Sequence, residues 1–257
     1  MIDEIRILNV KRDKNRFIVT TDQGEHSFCE DTIIKYLIFK DKVFSEAEFS
    51  EILNTDKKNV LLNKTMNYLS YQYRSQQEIR TYLKGKATEQ EIEAIIVKLT
   101  ELGYLNDWTL ANSLLEYACS VGKGPRYLEE KLNQRGIEED IIHETLAAYD
   151  EEKQETVLLA IIEKYRRQLN KYPPLMQKKK LAEKLLRDGF TYDQVGNKIN
   201  RLEFTDESDD LLQEEVARLL IKYEDLSEYE KRRKIINNLI SKGYEYNRIK
   251  ALLYIDE

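Results

Sequence analysis

The chain has 257 residues, 41 Lys and Arg against 47 Asp and Glu, and a formal net charge of -6. Nine glycines, three prolines and a charged fraction of 34% favour a mostly helical protein. Two distant cysteines, Cys29 and Cys119, exclude a disulfide framework and a cysteine zinc site. The longest apolar run, Val157–Ile162, is too short to span a bilayer.

Residues 1–56 differ from the rest. Glu4–Lys11, Arg16–Thr21 and Glu25–Cys29 read as three short strands, separated by a polar turn at Arg12–Asn15 and by Asp22-Gln23-Gly24. Asp31–Phe39 reads as a helix, and the Ser45/Glu48 capping box opens another through about Leu53. This predicts a small antiparallel β/α cap, and a structural or a partner-binding role both remain open for it. The N-terminus, MIDEIRILNV, lacks a basic segment followed by an apolar core. The expectation is a cytoplasmic chain with no membrane association.

From Lys57 onward one pattern recurs. Leu128/Leu132/Gly136 has counterparts in Ile79/Leu83/Ala87, Leu181/Leu185/Gly189 and Ile235/Leu239/Gly243. The second members are 49, 53 and 54 residues apart, and Ile92, Ile141, Val195 and Ile249 follow at a similar offset. Self-similarity of that period signals a helical array. The first copy is imperfect, with Ala87 in the glycine place and Gly85 two residues early.

The fold expected is mainly α: tandem three-helix repeats in an elongated, curved array behind the cap. The repeats fall at 57–105, 106–150, 151–205 and 206–257. Expected helices are 58–73, 76–85 and 89–102; 108–121, 125–135 and 138–149; 151–170, 174–188 and 192–203; 209–225, 228–242 and 245–254. Ser75/Glu78, Thr88/Glu91, Thr191/Gln194 and Ser227/Glu230 fit capping boxes, and Asp107 is placed as an N-cap. Thr205–Asp210 reads as a looser joint.

The second helix of each repeat is basic. Arg74–Ala87 carries +3, Gly122–Gly136 +2, Pro174–Gly189 +3 and Glu228–Gly243 +3, leaving -17 for the rest. Segregated basic faces suit an acidic polymer or an acidic protein groove. Solvation and pairing with Glu on neighbouring helices is the plainer alternative.

No catalytic constellation stands out. His26 and His143 lie in different regions, and Gly122-Lys123-Gly124-Pro125 lacks the strand, upstream glycine and Ser or Thr of a phosphate loop. No cofactor or metal is expected. Trp108 and Tyr117 are expected to pack inside the second repeat.

Tyr73-Arg74-Ser75-Gln76-Gln77-Glu78 resembles the Arg-Ser-x-x-Glu opening of RecX proteins, regulators of the RecA recombinase. Leu102-Gly103-Tyr104-Leu105-Asn106-Asp107 with Ala111 resembles their Gly-x-Leu-Asp-Asp…Phe-Ala segment. Asn106 replaces an acidic residue there, and Leu110 stands where phenylalanine is usual. Gly122-x-Gly124-Pro125 and Leu132-x-x-x-Gly136-Ile137 complete the pattern.

The resemblance implies a non-enzymatic monomer that binds the groove of a RecA–single-stranded-DNA filament. It implies restraint of filament growth, RecA ATP hydrolysis and strand exchange in DNA repair and the SOS response. Expected contact residues are Arg74, Lys123, Arg126, Lys131, Arg135, Lys178, Lys179, Lys180 and Arg187. Ser75, Glu78, Asp107, Gly124 and Gly136 are expected to be architectural. The alternatives are a stand-alone module that binds single- or double-stranded DNA without RecA, and a protein-interaction scaffold; single-stranded DNA is the partner expected, directly or within the filament.

Overall fold

The protein is described by a computed structural model covering residues 4–253. The chain begins with β1 (Glu4–Asp13), β2 (Arg16–Thr21) and β3 (Gly24–Phe28), an antiparallel meander as the alternating apolar residues demand. A fourth strand, β4 (Val43–Ser45), pairs with the other side of β1, giving the order β3-β2-β1-β4. Three residues carry too little pattern to announce a strand. Ile5, Ile7, Val19 and Phe28 face one side and pack with Ile38, Phe49 and Ile52.

Helix α1 (Glu30–Tyr36) is shorter than its apolar pattern suggests, because Leu37 turns left-handed at φ 50°. Helix α2 (Glu46–Ser70) runs unbroken where the sequence suggests two helices. Its midpoint explains why. Asp56 accepts from the Cys29 amide at 2.7 Å, the Thr32 hydroxyl at 2.9 Å and the Arg16 guanidinium at 2.9 Å. The polar stretch that looks like a break in sequence is thus the anchor of the sheet to the helix.

The remaining helices are α3 (Gln76–Leu83), α4 (Glu89–Glu101), α5 (Asp107–Val121), α6 (Pro125–Gln134), α7 (Glu139–Ala148), α8 (Glu151–Leu169), α9 (Pro174–Arg187), α10 (Tyr192–Ile199), α11 (Asp209–Lys222), α12 (Glu228–Ser241) and α13 (Tyr246–Leu253). The expected end of the last helix, residue 254, lies outside the described residues. The eight paired apolar positions of α3, α6, α9 and α12, from Ile79 and Leu83 to Ile235 and Leu239, are all fully buried. Each contributes about 2 kcal/mol by leaving water.

Ser45, Ser75, Thr88 and Thr191 form complete capping boxes. Ser227 does not. Its hydroxyl donates to Glu230 at 2.8 Å and caps no backbone amide. Asp107 is not the cap of α5 either. Asn106 takes that part, accepting from the Thr109 amide at 3.0 Å, while the Asp107 carboxylate accepts from the Gln76 amide at the start of α3, also at 3.0 Å. Thr205–Asp210 is pinned rather than loose, with Arg248 pairing to Asp206 at 2.5 Å and to Asp209 at 2.6 Å. Trp108 and Tyr117 lie at the surface, 41% and 54% exposed, rather than in the core.

The chain divides into two compact units. One takes the residues up to Leu110 together with Arg135–Ile137; the other takes Ala111–Gln134 and the residues from Glu138 onward. Among the described residues, no helix is long and apolar enough to cross a membrane.

Candidate functional site

The basic helices meet their neighbours through glycines, and this decides which cations remain available. In the second unit the start of α6 abuts the end of α9. Gly124 N–H donates to the Asp188 carbonyl at 2.7 Å, and Arg126 N–H donates to the Gly189 carbonyl at 3.1 Å. Amides at a helix start and carbonyls at a helix end are the groups a helix cannot satisfy internally, so each end completes the other. A Cβ on Gly189 would lie 2.6 Å from the Tyr127 amide nitrogen, and one on Gly124 would lie 2.5 Å from the Gly189 carbonyl. Gly189 also adopts φ +93°, closing α9 with Phe190 N–H bonded to the Leu185 carbonyl.

Lys123 belongs to this joint. Its ammonium lies 2.7 Å from the Asp188 carboxylate, a side chain 3% exposed, and Lys184 reaches the same carboxylate at 2.6 Å. Burial on its own would lower the Lys184 pKa, but the hydrogen bond to Asp188 outweighs it and holds the ammonium above the ordinary lysine range. The buried Tyr149 hydroxyl donates to the Lys123 carbonyl at 2.8 Å.

Arg74 and Arg135 have a matching commitment in the first unit. Both guanidiniums reach Glu78, at 3.2 Å and 2.9 Å, and Ser75 Oγ donates to the Arg135 carbonyl at 2.5 Å. Burial would raise the Glu78 carboxyl, but the Ser75 amide and the two guanidiniums together hold it below the usual range. Gly136, at φ +65°, passes so close to Gln77 that a Cβ would lie 2.5 Å from its Cγ. A third joint sets Gly243 of the fourth repeat against Leu175 at the start of α9, with a built Cβ again at 2.5 Å.

The other expected contact residues face outward. Arg126, Lys179 and Arg187 are exposed. Lys131, Lys178 and Lys180 are half-buried, their ammoniums 5.6, 5.9 and 4.5 Å from the rings of Tyr127, Phe204 and Tyr172. Arg126 lies 5.9 Å from the ring of Tyr192.

Helices α8 and α9 bring two of these groups, Lys180 and Arg187, to one open groove of about 460 Å³. Lys171, Lys180, Lys184 and Arg187 line it with Tyr165, Tyr172, Gln168 and Glu183. Tyr165, Tyr172, Lys171 and Lys184 were not among the residues the sequence singles out for contact. The run Lys171-Tyr172-Pro173-Pro174 marks only a turn in sequence, and the ring of Tyr165 is brought opposite by packing. Lysines beside tyrosine rings supply both charge and flat apolar surface, the chemistry that accepts a phosphate backbone with unstacked bases, or an acidic protein segment.

Among the described residues no group of His, Cys, Asp and Glu could hold a metal ion. Burial pushes the Cys29 and Cys119 thiols above their ordinary value, away from nucleophilic character. His26 packs against the rings of Phe28 and Phe49.

Residues 62–99 match a family model described as RecX, first three-helix domain. The regulatory protein RecX of Staphylococcus aureus strain JH9 is 31% identical over 252 residues, covering 95% of this chain and 92% of that one. Its counterpart in Listeria welshimeri is 29% identical over 254 residues, covering 96% and 94%. The crystal structure of RecX from Lactobacillus salivarius aligns with a TM-score of 0.52 at 29% identity, over 58% of this chain and 97% of that one. A second crystal structure of a regulatory protein RecX aligns with a TM-score of 0.59 over 77% of this chain and all of its own length. At 24% identity it shows likeness of fold alone.

Proposed function

The chain belongs to the RecX family of regulatory proteins, and on that premise we propose that it regulates the RecA recombinase by binding the RecA–single-stranded-DNA filament. It acts in the cytoplasm without chemistry of its own, restraining filament growth, ATP hydrolysis and strand exchange. The observation that carries this reading is the groove between α8 and α9, where Lys171, Lys180 and Arg187 converge beside two tyrosine rings while Lys184 is held by Asp188. Such a surface steers a polyanion toward it, and neighbouring cations on Arg126 and Lys179 extend the field. Arg74, Lys123 and Arg135 serve this function at one remove, by fixing the joints that position the exposed cations.

The decisive measurement is single-stranded-DNA-dependent ATP hydrolysis by the RecA of the same organism. Addition of this protein lowers the rate, and the double variant Lys179→Glu/Arg187→Glu loses most of the effect while keeping its far-UV circular dichroism. An unchanged rate at saturating protein would overturn the proposal.

The aromatic rings in the groove favour a second reading, direct binding of bare single-stranded DNA. In that case affinity falls steeply with salt and bare DNA competes with RecA-coated DNA for the protein.

A further inference from the structure

The basic groove between α8 and α9 does not end at Tyr165 and Lys184. Both residues also border a hollow of about 320 Å³, and that hollow shares Cys119, Ser120, Thr156 and Val157 with another of about 1030 Å³. Joined by these common walls, the three form one open trough inside the second unit. Helix α8 gives it a single stripe: Val157, Ala160, Ile161, Lys164, Tyr165 and Gln168, spaced as neighbours on one helix face. From Lys153 to Gln168 that stripe runs about 22 Å at the helical rise.

The trough changes character along its length. At one end Glu116 and Glu152 are exposed and make no ion pair among the described residues. Lys153 beside them is held by the Asp150 carboxylate at 3.8 Å and the Ala148 carbonyl at 2.7 Å. The middle is apolar, walled by Leu115, Cys119, Val157 and the exposed Ala160. At the other end Lys164, Lys171, Lys180 and Arg187 stand against Glu183, with Lys184 taken up by Asp188.

A polyanion matches only the basic end. Continued toward α5, its charges would leave water for an apolar wall and then face Glu116 and Glu152, and both steps are unfavourable. The occupant that matches all three zones carries carboxylates at one end, apolar side chains in the middle and cations at the other. The stripe on α8 has helical spacing, so a ridge that seats along it is also a helix.

We propose that the trough along α8 receives an amphipathic helix of a partner protein, about fifteen residues long and oppositely charged at its two ends. The proposal rests on the filament reading for the use of the basic end. It sharpens that reading by making the partner in the groove protein rather than DNA.

Two stapled helical peptides of one composition test it, by fluorescence anisotropy with the full chain. The first has glutamates in its first turn, leucines at helical spacing in the middle and lysines in its last turn. The second has the same charges mixed at both ends. The first binds more tightly by about tenfold or more. Glu116→Lys/Glu152→Lys erases that preference. Ala160→Gln, which adds bulk without charge, weakens the first peptide about fivefold and leaves oligo(dT) binding where it was. Both variants keep the native circular dichroism. Equal affinity for the two peptides would overturn the proposal. So would a preference that survives both variants, or an oligo(dT) affinity that falls with Ala160→Gln as the peptide's does. RecA is absent from these measurements, so their failure strikes this inference alone, whereas an unchanged rate of ATP hydrolysis strikes the filament reading.

Discussion

The joint at Gly136 and the joint at Gly189 perform one task with opposite charges. At Gly136 the residue before the glycine is Arg135, and it pairs with Glu78. At Gly189 the residue before the glycine is Asp188, and it pairs with Lys123. The backbone is the invariant part: a glycine with positive φ, pressed on the first turn of another helix. The ion pair is the adjustable part, free to invert provided both partners change together. A sequence repeat therefore shows up in glycines and leucines and is silent in the charges.

The sharpest way to break the comparison is to add one methyl group. Gly189→Ala meets both a left-handed backbone and Tyr127, and costs about 3 kcal/mol. Gly85→Ala meets the backbone penalty alone, about 1 kcal/mol, because the space beside it is open. Urea midpoints of the two variants measure the difference, and equal midpoints would show that the close approach at Gly189 carries no weight.

Next comes the acidic side of each pair. Asp188→Asn leaves Lys123 and Lys184 facing a neutral amide and destabilises by about 2 kcal/mol, discounted because both lysines keep some contact with water. Glu78→Gln costs about 1 kcal/mol, its carboxylate being more exposed than that of Asp188.

Glu78 also leaves a signature in pH. Its folded pKa lies below the ordinary 4.5, so its contribution is complete above that value and is lost as pH falls through the folded value. Glu78→Gln therefore flattens the stability profile below about pH 4.5. A variant profile parallel to the wild type in acid would detach Glu78 from the joint. The smallest effect falls on the exposed cations. Lys179→Ala shifts stability by less than about 0.5 kcal/mol, so any loss of the proposed RecA regulation reports on contact rather than folding.

Much of the fold was legible because its period is local. Ile79/Leu83 and their three counterparts lie four residues apart on one helix face, and all eight side chains are fully buried. Gly85 was legible as an oddity, and the structure supplies the reason. It is the third residue of the turn Leu83–Lys86, where a positive φ is needed, and the turn is closed by Lys86 N–H to the Leu83 carbonyl at 2.9 Å.

What the sequence hid depends on partners far away in the chain. Asp56 in the middle of α2 looks like an interruption until Arg16 and Cys29 close on it. Asp107 looks like a cap for its own helix until the Gln76 amide takes it. The expected contact residues Arg74, Lys123 and Arg135 look the same in sequence as Lys179 and Arg187. Only the positions of Glu78 and Asp188 separate the structural cations from the exposed ones.

The end-to-end hydrogen bonds from Gly124 and Arg126 to Asp188 and Gly189 have a consequence for how chains of this kind vary in length. Each joint is made of backbone groups that every helix end possesses, with a glycine to let them approach. A whole repeat can then be gained or lost without redesigning the ones that remain, much as a link is added to a chain.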